Sequence, residues 1–535
     1  MTWAAANNPP DPRRWIALVV LSSSLFIIVL DNTIVNVAVP TIVRELHTNV
    51  SALQWVISGY ALIFASLLIS FGRVGDIIGR RRLFFIGATF FAVGSAFASV
   101  SHSAVQLFIG ESVIEGFGAA MMLPATLAII SATFSGRERG LAFAVWGSVA
   151  AGAGALGPWI GGILTSDYSW RWAFRVNVVI APLAILAAIF VVRESKDERA
   201  NGIDIPGLVV VTLGLLGVVF GIIEAARYGL VKPITSTRLL GLSPVPWALL
   251  AGALLLAFFV VLEDSRAEQL KPIIFDFRDL VHRGFRYGLI NTLVLAMGEF
   301  GAFFVLPIFL QASQHHSALR AGTWLLPAGA TAFVGGALGG ILSRKYGPKY
   351  VITVGLLFEA AGIVGYALAF GPHTTFLSLL PALILHGIGI GFATSQLTNV
   401  VLSDIPPHKA GSASGAAGMV RQVGTSLGIA VIGAILLSQA STHIRHDLAR
   451  VPNLSASARN EIVANVSNFG DRSGGQRDNP AVGAIISNGI ADGSVPAAGF
   501  AAAVVFIGAL LSTLVPNIPP DAHPGQLLEG AARAD

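Results

Sequence analysis

The stretch FIIVLDNTIVNVAVP, residues 26–40, sets the terms on which this chain folds. It continues an apolar run that starts directly behind Arg13 and Arg14, and it carries a single acid, Asp31. The run is long enough to cross a bilayer. Asp31 lies roughly sixteen residues into it, about 24 Å at helical rise, slightly past the midplane. A carboxylate at that depth costs roughly 2.5–3.5 kcal/mol on insertion scales. The run is too long for a signal peptide and ends without a small-residue cleavage site, so it reads as a first membrane helix that stays attached.

The composition around it is of the membrane class. Hydrophobic residues make up 54% of the 535 and charged residues only 12%, with a mean hydropathy of +0.73, where a soluble domain carries about 25% charged residues. The net charge of +5 does not imply nucleic acid: the six lysines, Lys196, Lys232, Lys271, Lys345, Lys349 and Lys409, are scattered and form no basic face. There is no cysteine, which excludes disulfides, thiolate metal sites and cysteine nucleophiles.

Apolar stretches of about twenty residues recur along the whole chain. They fall near 15–37, 52–72, 83–101, 105–126, 141–164, 173–192, 205–226, 246–263, 287–309, 322–342, 350–370, 376–398, 412–437 and 497–516. That predicts fourteen spans, with antiparallel neighbours because the loops are short. With the N-terminus cytoplasmic, the inside loops and tails hold about 21 of the 34 basic residues and the short outside loops about seven. The asymmetry places both termini in the cytoplasm. Residues 438–496 read as a long solvated outside loop with short amphipathic helices near 443–466.

Charges within the spans narrow the function. Asp31, Glu111, Glu115, Glu299, Glu359 and Arg421 all fall there, together with His386. Such residues face a bundle interior or a water-filled cavity. For Asp31 two readings stand: a carboxylate in a structural hydrogen-bond network, or a proton carrier that is neutral in one conformation and ionised in another. Glu111 and Glu115 are four apart and share a helix face, where two ionised carboxylates would repel. They read either as proton-coupling or cation-binding groups or as structural pairs. Glu299 is a further candidate for proton coupling, and Glu359 and His386 are weaker ones. The runs GSVAAGAGALGPWIGG (147–162) and GGALGG (335–340) place small residues at the spacing that lets helix backbones approach closely, and Pro158 is expected to kink its helix.

Several of these segments resemble the major facilitator superfamily, in particular its fourteen-helix branch of drug:proton antiporters. LDNTIVNVAVP (30–40) is similar to that branch's first-helix motif. GRVGDIIGRRR (72–82) fits the superfamily's loop between helices two and three through Gly72, Asp76, Gly79, Arg80 and Arg81. GALGPWIGGIL (154–164) resembles the fifth-helix antiporter motif through Gly157, Pro158, Gly161 and Gly162. SWRWAFRVN (169–177) and AGSASGAAGMVRQVGTSLGIAV (410–431) add to the likeness. One departure stands out: where the family's fourth helix carries an arginine and a glutamine, this chain has Ser112 and Glu115.

The resemblance implies an all-α integral membrane fold, with two six-helix bundles and two extra linking helices. The expected segments are a cytoplasmic tail at 1–14, a first bundle at 15–193, a linker with two helices at 194–266, a second bundle at 267–517 that contains the 438–496 loop, and a cytoplasmic tail at 518–535. It implies that Gly72, Asp76, Gly79, Arg80 and Arg81 form a gate on the inward side. The function implied is export of lipophilic, cationic or zwitterionic drugs and metabolites from the bacterial cytoplasmic membrane by alternating access. A proton gradient supplies the energy and no cofactor is needed; protons, small lipophilic substrates and membrane lipids are the partners, and the chain acts as a monomer. Trp55, Tyr60, Phe143, Trp146, Phe300 and Phe303 are the aromatics expected along a greasy cavity. An exporter of lipids or other amphipathic metabolites is the alternative. A membrane-embedded enzyme would need a nucleophile or metal cluster that the sequence does not offer, and no lysine follows a glycine, so there is no phosphate loop for an ATP-driven pump.

Overall fold

A computed structural model describes residues 11–48, 50–196, 202–233, 237–451, 454–467 and 480–516. Fourteen helices among them are long and apolar enough to cross a membrane. In lipid every backbone polar group must be paired within the chain, and a helix does this within one segment. We number them α1 (Arg14–Glu45), α2 (Val50–Ile78), α3 (Arg80–Ser99), α4 (Ala104–Thr133), α5 (Gly136–Ile163), α6 (Arg171–Val191), α7 (Ile205–Tyr228), α8 (Pro244–Glu268), α9 (Arg283–Ile308), α10 (Ala318–Tyr346), α11 (Pro348–Ala369), α12 (Phe376–Ser403), α13 (Ala410–Leu448) and α14 (Pro480–Ser512). Local chemistry sets several ends. Asp204 accepts from the Gly207 amide at the start of α7, and Thr375 and Ser378 form a reciprocal capping box on α12. Gly79 and Gly347, at φ of 110° and 84°, supply the positive-φ breaks before α3 and α11.

The helices cover the expected spans and run up to eight residues past their ends, with a larger departure at one place. α13 runs on as helix to Leu448, a further short helix covers Ala456–Ser467, and α14 already begins at Pro480. Most of what read as a solvated loop at 438–496 is therefore helical. The apolar residues Ile444, Leu448, Ile462, Val463, Val482 and Ile486 of these extensions bury one another in a small separate core. The remainder of that loop at 468–479 and most of both terminal tails lie outside the described residues.

α1–α6 and α9–α14 form two bundles. They meet along α2 with α13 and along α5 with α10 and α12. A two-fold relation between the halves exchanges the α2/α13 seam with the α10/α5 seam, as expected for bundles built from repeats. α8 packs on α7, and α7 lies against both α2 and α13, so the inserted pair covers one side of the junction between the bundles.

Candidate functional site

Between the bundles lies a cavity of about 1930 Å³, walled by α1, α2, α4, α5 and α7 on one side and α9, α10, α12 and α13 on the other. Its lining is mostly apolar, with Thr33, Ser58, Gln311, Thr394, Gln422, Glu224, Glu299, Arg227 and Arg421 as polar points. Of the expected aromatics, Trp146, Phe300 and Phe303 form part of the wall. Trp55, Tyr60 and Phe143 do not. Trp55 stacks on Phe220 of α7 at 6.1 Å and lies under the Arg227 guanidinium at 5.2 Å. Tyr60 is buried and stacks on Phe64, which does reach the cavity. Phe143 is fully buried beneath Arg139. A sequence places an aromatic on a helix but does not tell which of two inward faces meets the cavity.

Beside the α2–α3 loop a polar clasp joins the two bundles. Asp76, fully buried near the end of α2, accepts from Arg80 Nε at 3.0 Å and Nη2 at 2.7 Å, and from the backbone amides of Gly411 and Ser412 at 3.0 Å each. Those amides are the first turn of α13, so the carboxylate of one bundle caps a helix of the other and meets the positive end of its dipole. Arg80 also donates to the His408 carbonyl at 3.3 Å. Gly72 makes the approach possible: a Cβ there would strike the Gly411 carbonyl. Gly79 breaks the chain beside the Glu194 carboxylate, which accepts the Arg81 amide at 3.0 Å. Arg81 itself donates to the Ile189 carbonyl of α6 at 2.8 Å. Its contacts thus stay within the first bundle, unlike those of Arg80. Arg139 of α5 makes a second crossing on the same face, donating to the Leu402 carbonyl at the end of α12. The sequence reading did not single out Arg139.

The fifth-helix motif is a packing seam. A Cβ at Gly157 would collide with Thr33 of α1, one at Gly161 would sit 3.1 Å from the Ile34 Cα, and one at Gly162 would sit 3.2 Å from Leu319 of α10. α5 is thereby pressed between its own bundle and the other. The backbone is helical through Pro158, whose side chain lies outside what is described.

Asp31, Glu111 and Glu115 come together inside the first bundle, behind the cavity wall. All three are buried. Asn177 of α6 ties Asp31 to Glu115: the two hydrogens on its Nδ2 are shared among Asp31 Oδ1 at 2.8 Å, Glu115 Oε1 at 3.1 Å and Ser95 Oγ at 3.2 Å. Ser95 of α3 donates to the same Glu115 oxygen at 2.5 Å. Asp31 and Glu115 accept from the same Asn177 amide nitrogen, and two carboxyls held that close repel unless one carries a proton. α4 widens to a π-helical turn over Phe108–Glu115, covering both glutamates, a local feature frequent at functional sites. Gly94 and Gly110 hold α3 and α4 close enough for Ser95 to reach. Ser112, at the position of the family's arginine, donates to the Val56 carbonyl at 2.6 Å. No lysine or arginine is paired with these three acids among the described residues. Asn177 was quoted in the family-like stretch 169–177, but nothing in the sequence connected it to Asp31.

Comparison with known proteins agrees with this architecture. Residues 21–429 match the Major Facilitator Superfamily family model, and the chain belongs to that superfamily. The puromycin resistance protein of Streptomyces alboniger is 34% identical over 82% of this chain and 85% of its own length. The tetracenomycin C resistance and export protein of Streptomyces glaucescens is 30% identical over 80% and 77%. The crystal structure of the human organic anion transporter MFSD10 shares the fold at 14% identity, with a TM-score of 0.60 over 94% of this chain and all of that one. The chain is accordingly a multi-pass membrane protein of a transporter superfamily, and the expected all-α fold of fourteen spans stands.

Proposed function

We propose that this protein exports lipophilic, cationic or zwitterionic compounds in exchange for protons, by alternating access. The observation that carries the reading is the pairing of a large, mostly apolar cavity between the bundles with a cluster of buried acids that has no cation of its own among the described residues. Leaving three carboxylates ionised there would cost several kcal/mol per charge. Protons remove that cost, and their release when the bundles re-expose the cluster to water couples the gradient to the motion. One proton moving down 100 mV releases about 2.3 kcal/mol. The names of the antibiotic-resistance relatives support a drug-sized substrate.

With the α2–α3 loop in the cytoplasm, as in the basic-residue asymmetry, the formed clasp supports reading this as an outward-facing state of a bacterial inner-membrane exporter. Gly72, Asp76, Gly79 and Arg80 then act as the inner gate, and Arg81 braces it from within its own bundle. The proton gradient is the sole energy source in this reading. The test is reconstitution into liposomes that enclose a pH-sensitive dye, with an imposed proton gradient and a panel of lipophilic cations. Dissipation of the gradient by some compound, lost in Asp31→Asn, is the expected result. Transfer of a labelled lipid with no response to any compound would replace drug export by lipid export.

A further inference from the structure

The second bundle holds another set of buried titratable groups, set closer to the cavity than the first. Glu299 of α9 forms part of the cavity wall and pairs with Arg421 of α13 at 3.3 Å. Behind it, Glu359 of α11 is fully buried, and neither of its carboxyl oxygens has a hydrogen-bond partner among the described residues. Glu359 lies within electrostatic reach of both Glu299 and Arg421. His386 of α12, also fully buried, has its ring 5.3 Å from that of Tyr366 on α11 and 5.2 Å from that of Phe303, a cavity residue. The Tyr366 hydroxyl, within reach of Glu359, is buried without a hydrogen-bond partner among the described residues. The cluster is held tight by glycines: a Cβ at Gly362 would sit 2.6 Å from the His386 amide.

The charges do not balance as they stand. Arg421 is one cation facing two carboxyl groups, Glu299 and Glu359, and it is bonded to Glu299. An ionised Glu359 with no bonded partner in the bundle core would carry the full penalty of a buried unpaired charge. We propose that Glu359, enclosed by His386 and Tyr366, is a second proton-binding site, and that Arg421 moves from Glu299 to Glu359 when a cationic substrate reaches the cavity. This rests on the export reading given above. The exchange conserves charge and atoms. The substrate cation takes the place of Arg421 at the Glu299 carboxylate, the guanidinium pairs with Glu359, and the Glu359 proton leaves to cavity water. Reloading that proton returns Arg421 to Glu299 and expels the cation. The protein would then hold one protonatable centre in each bundle, and the two centres would differ in distance from the substrate.

Infrared spectroscopy of the protein in phosphatidylcholine vesicles tests this, with tetraphenylphosphonium as the cationic probe. Without probe, the wild type is expected to show a protonated-carboxyl band that is absent in Glu359→Gln and present in Asp31→Asn. Adding probe should remove that band in the wild type but not in Arg421→Gln. In detergent with a pH indicator, Glu359→Gln should release about half as many protons per bound cation as the wild type, since one of two centres remains. Identical resting spectra for wild type and Glu359→Gln would overturn the site. A Glu359 band that ignores the probe, in protein whose dye-loaded liposomes do respond to it, would overturn the coupling. If no cation evokes a response in liposomes, the export reading itself fails, and the resting band still decides whether Glu359 holds a proton.

Discussion

The two bundles carry their membrane acids in opposite ways. Asp31 lies seventeen residues past the start of α1 and Glu299 sixteen past the start of α9, so the two-fold relation of the halves places them at nearly the same depth. Asp31 faces inward, to Asn177, Ser95 and Glu115, and is shut off from the cavity. Glu299 faces the cavity and is neutralised by Arg421. The difference arises from the neighbouring helices. α4 presents two glutamates and no arginine, whereas α13 presents an arginine at the interface. One acid is therefore suited to hold a proton away from substrate, and the other to meet a substrate's charge directly. A repeat supplies equivalent positions, and substitutions around them assign different work.

The sharpest way to break that comparison is Asp31→Asn. If the first bundle is the proton store, this change should lower proton-driven efflux by about 100-fold or more, the scale of losing a needed protonation step, while expression and membrane insertion stay normal. Equal efflux in dye-loaded liposomes would remove Asp31 from the pathway. Next in size, Asp76→Asn weakens a charge-assisted clasp whose bonds are worth roughly 1.5–3 kcal/mol each, so the closed-clasp state should lose about tenfold or more in population. The chain has no native cysteine, so spin labels placed on either side of the clasp would report the distance directly. Glu299→Gln should raise the Km for monovalent cations by about tenfold, some 1.4 kcal/mol, and leave zwitterions less affected. An equal loss for both classes would mean that Glu299 does not read substrate charge.

The smallest effect is expected on the clasp face within the second half, where Lys409 bonds Asp276 at 2.9 Å and Asp279 at 2.9 Å. Burial acts to raise the Asp276 carboxyl, but the Lys409 ammonium outweighs it and leaves the group below its ordinary value. Burial would likewise lower Lys409, but its two carboxylate partners outweigh that and leave it raised. The sign follows from linkage. The Asp276 contribution is present above the ordinary carboxylate value and is lost as pH falls through its lowered one. The Lys409 contribution is present below the ordinary lysine value and is lost as pH rises through its raised one. Asp279, raised chiefly by burial, favours the fold more at low pH and trims the acid limb. Lys409→Met should therefore cost under about 1 kcal/mol between roughly pH 5 and 9, read as a small shift in thermal unfolding that flattens with acid.

Much of the fold was legible because lipid leaves the chain few options. Length and hydropathy alone located all fourteen spans, since a segment of about twenty apolar residues must be helical in a bilayer. The failure at 438–496 has the same origin. α13 and α14 continue past the expected spans as helices that bury apolar residues on one side, and their polar residues look like loop to a hydropathy reading. At the site, Asp31, Glu111 and Glu115 were visible as misplaced charges. Asn177, Ser95 and Arg139 were not, because a small polar residue or a basic residue at a helix end is common and its partner lies far away in sequence.

The sequence by itself determined the number and approximate place of the membrane spans, the superfamily, and which acids lie in the spans, because each of these depends on local composition or short motifs. Tertiary structure alone decided which acids touch one another, which side of a helix meets the cavity, and that Asp76 caps a helix 335 positions away. Those outcomes depend on close approach at Gly72, Gly94, Gly157 and Gly362, and the hydrogen bonds and ion pairs formed there become strong only where two bundles exclude both water and lipid.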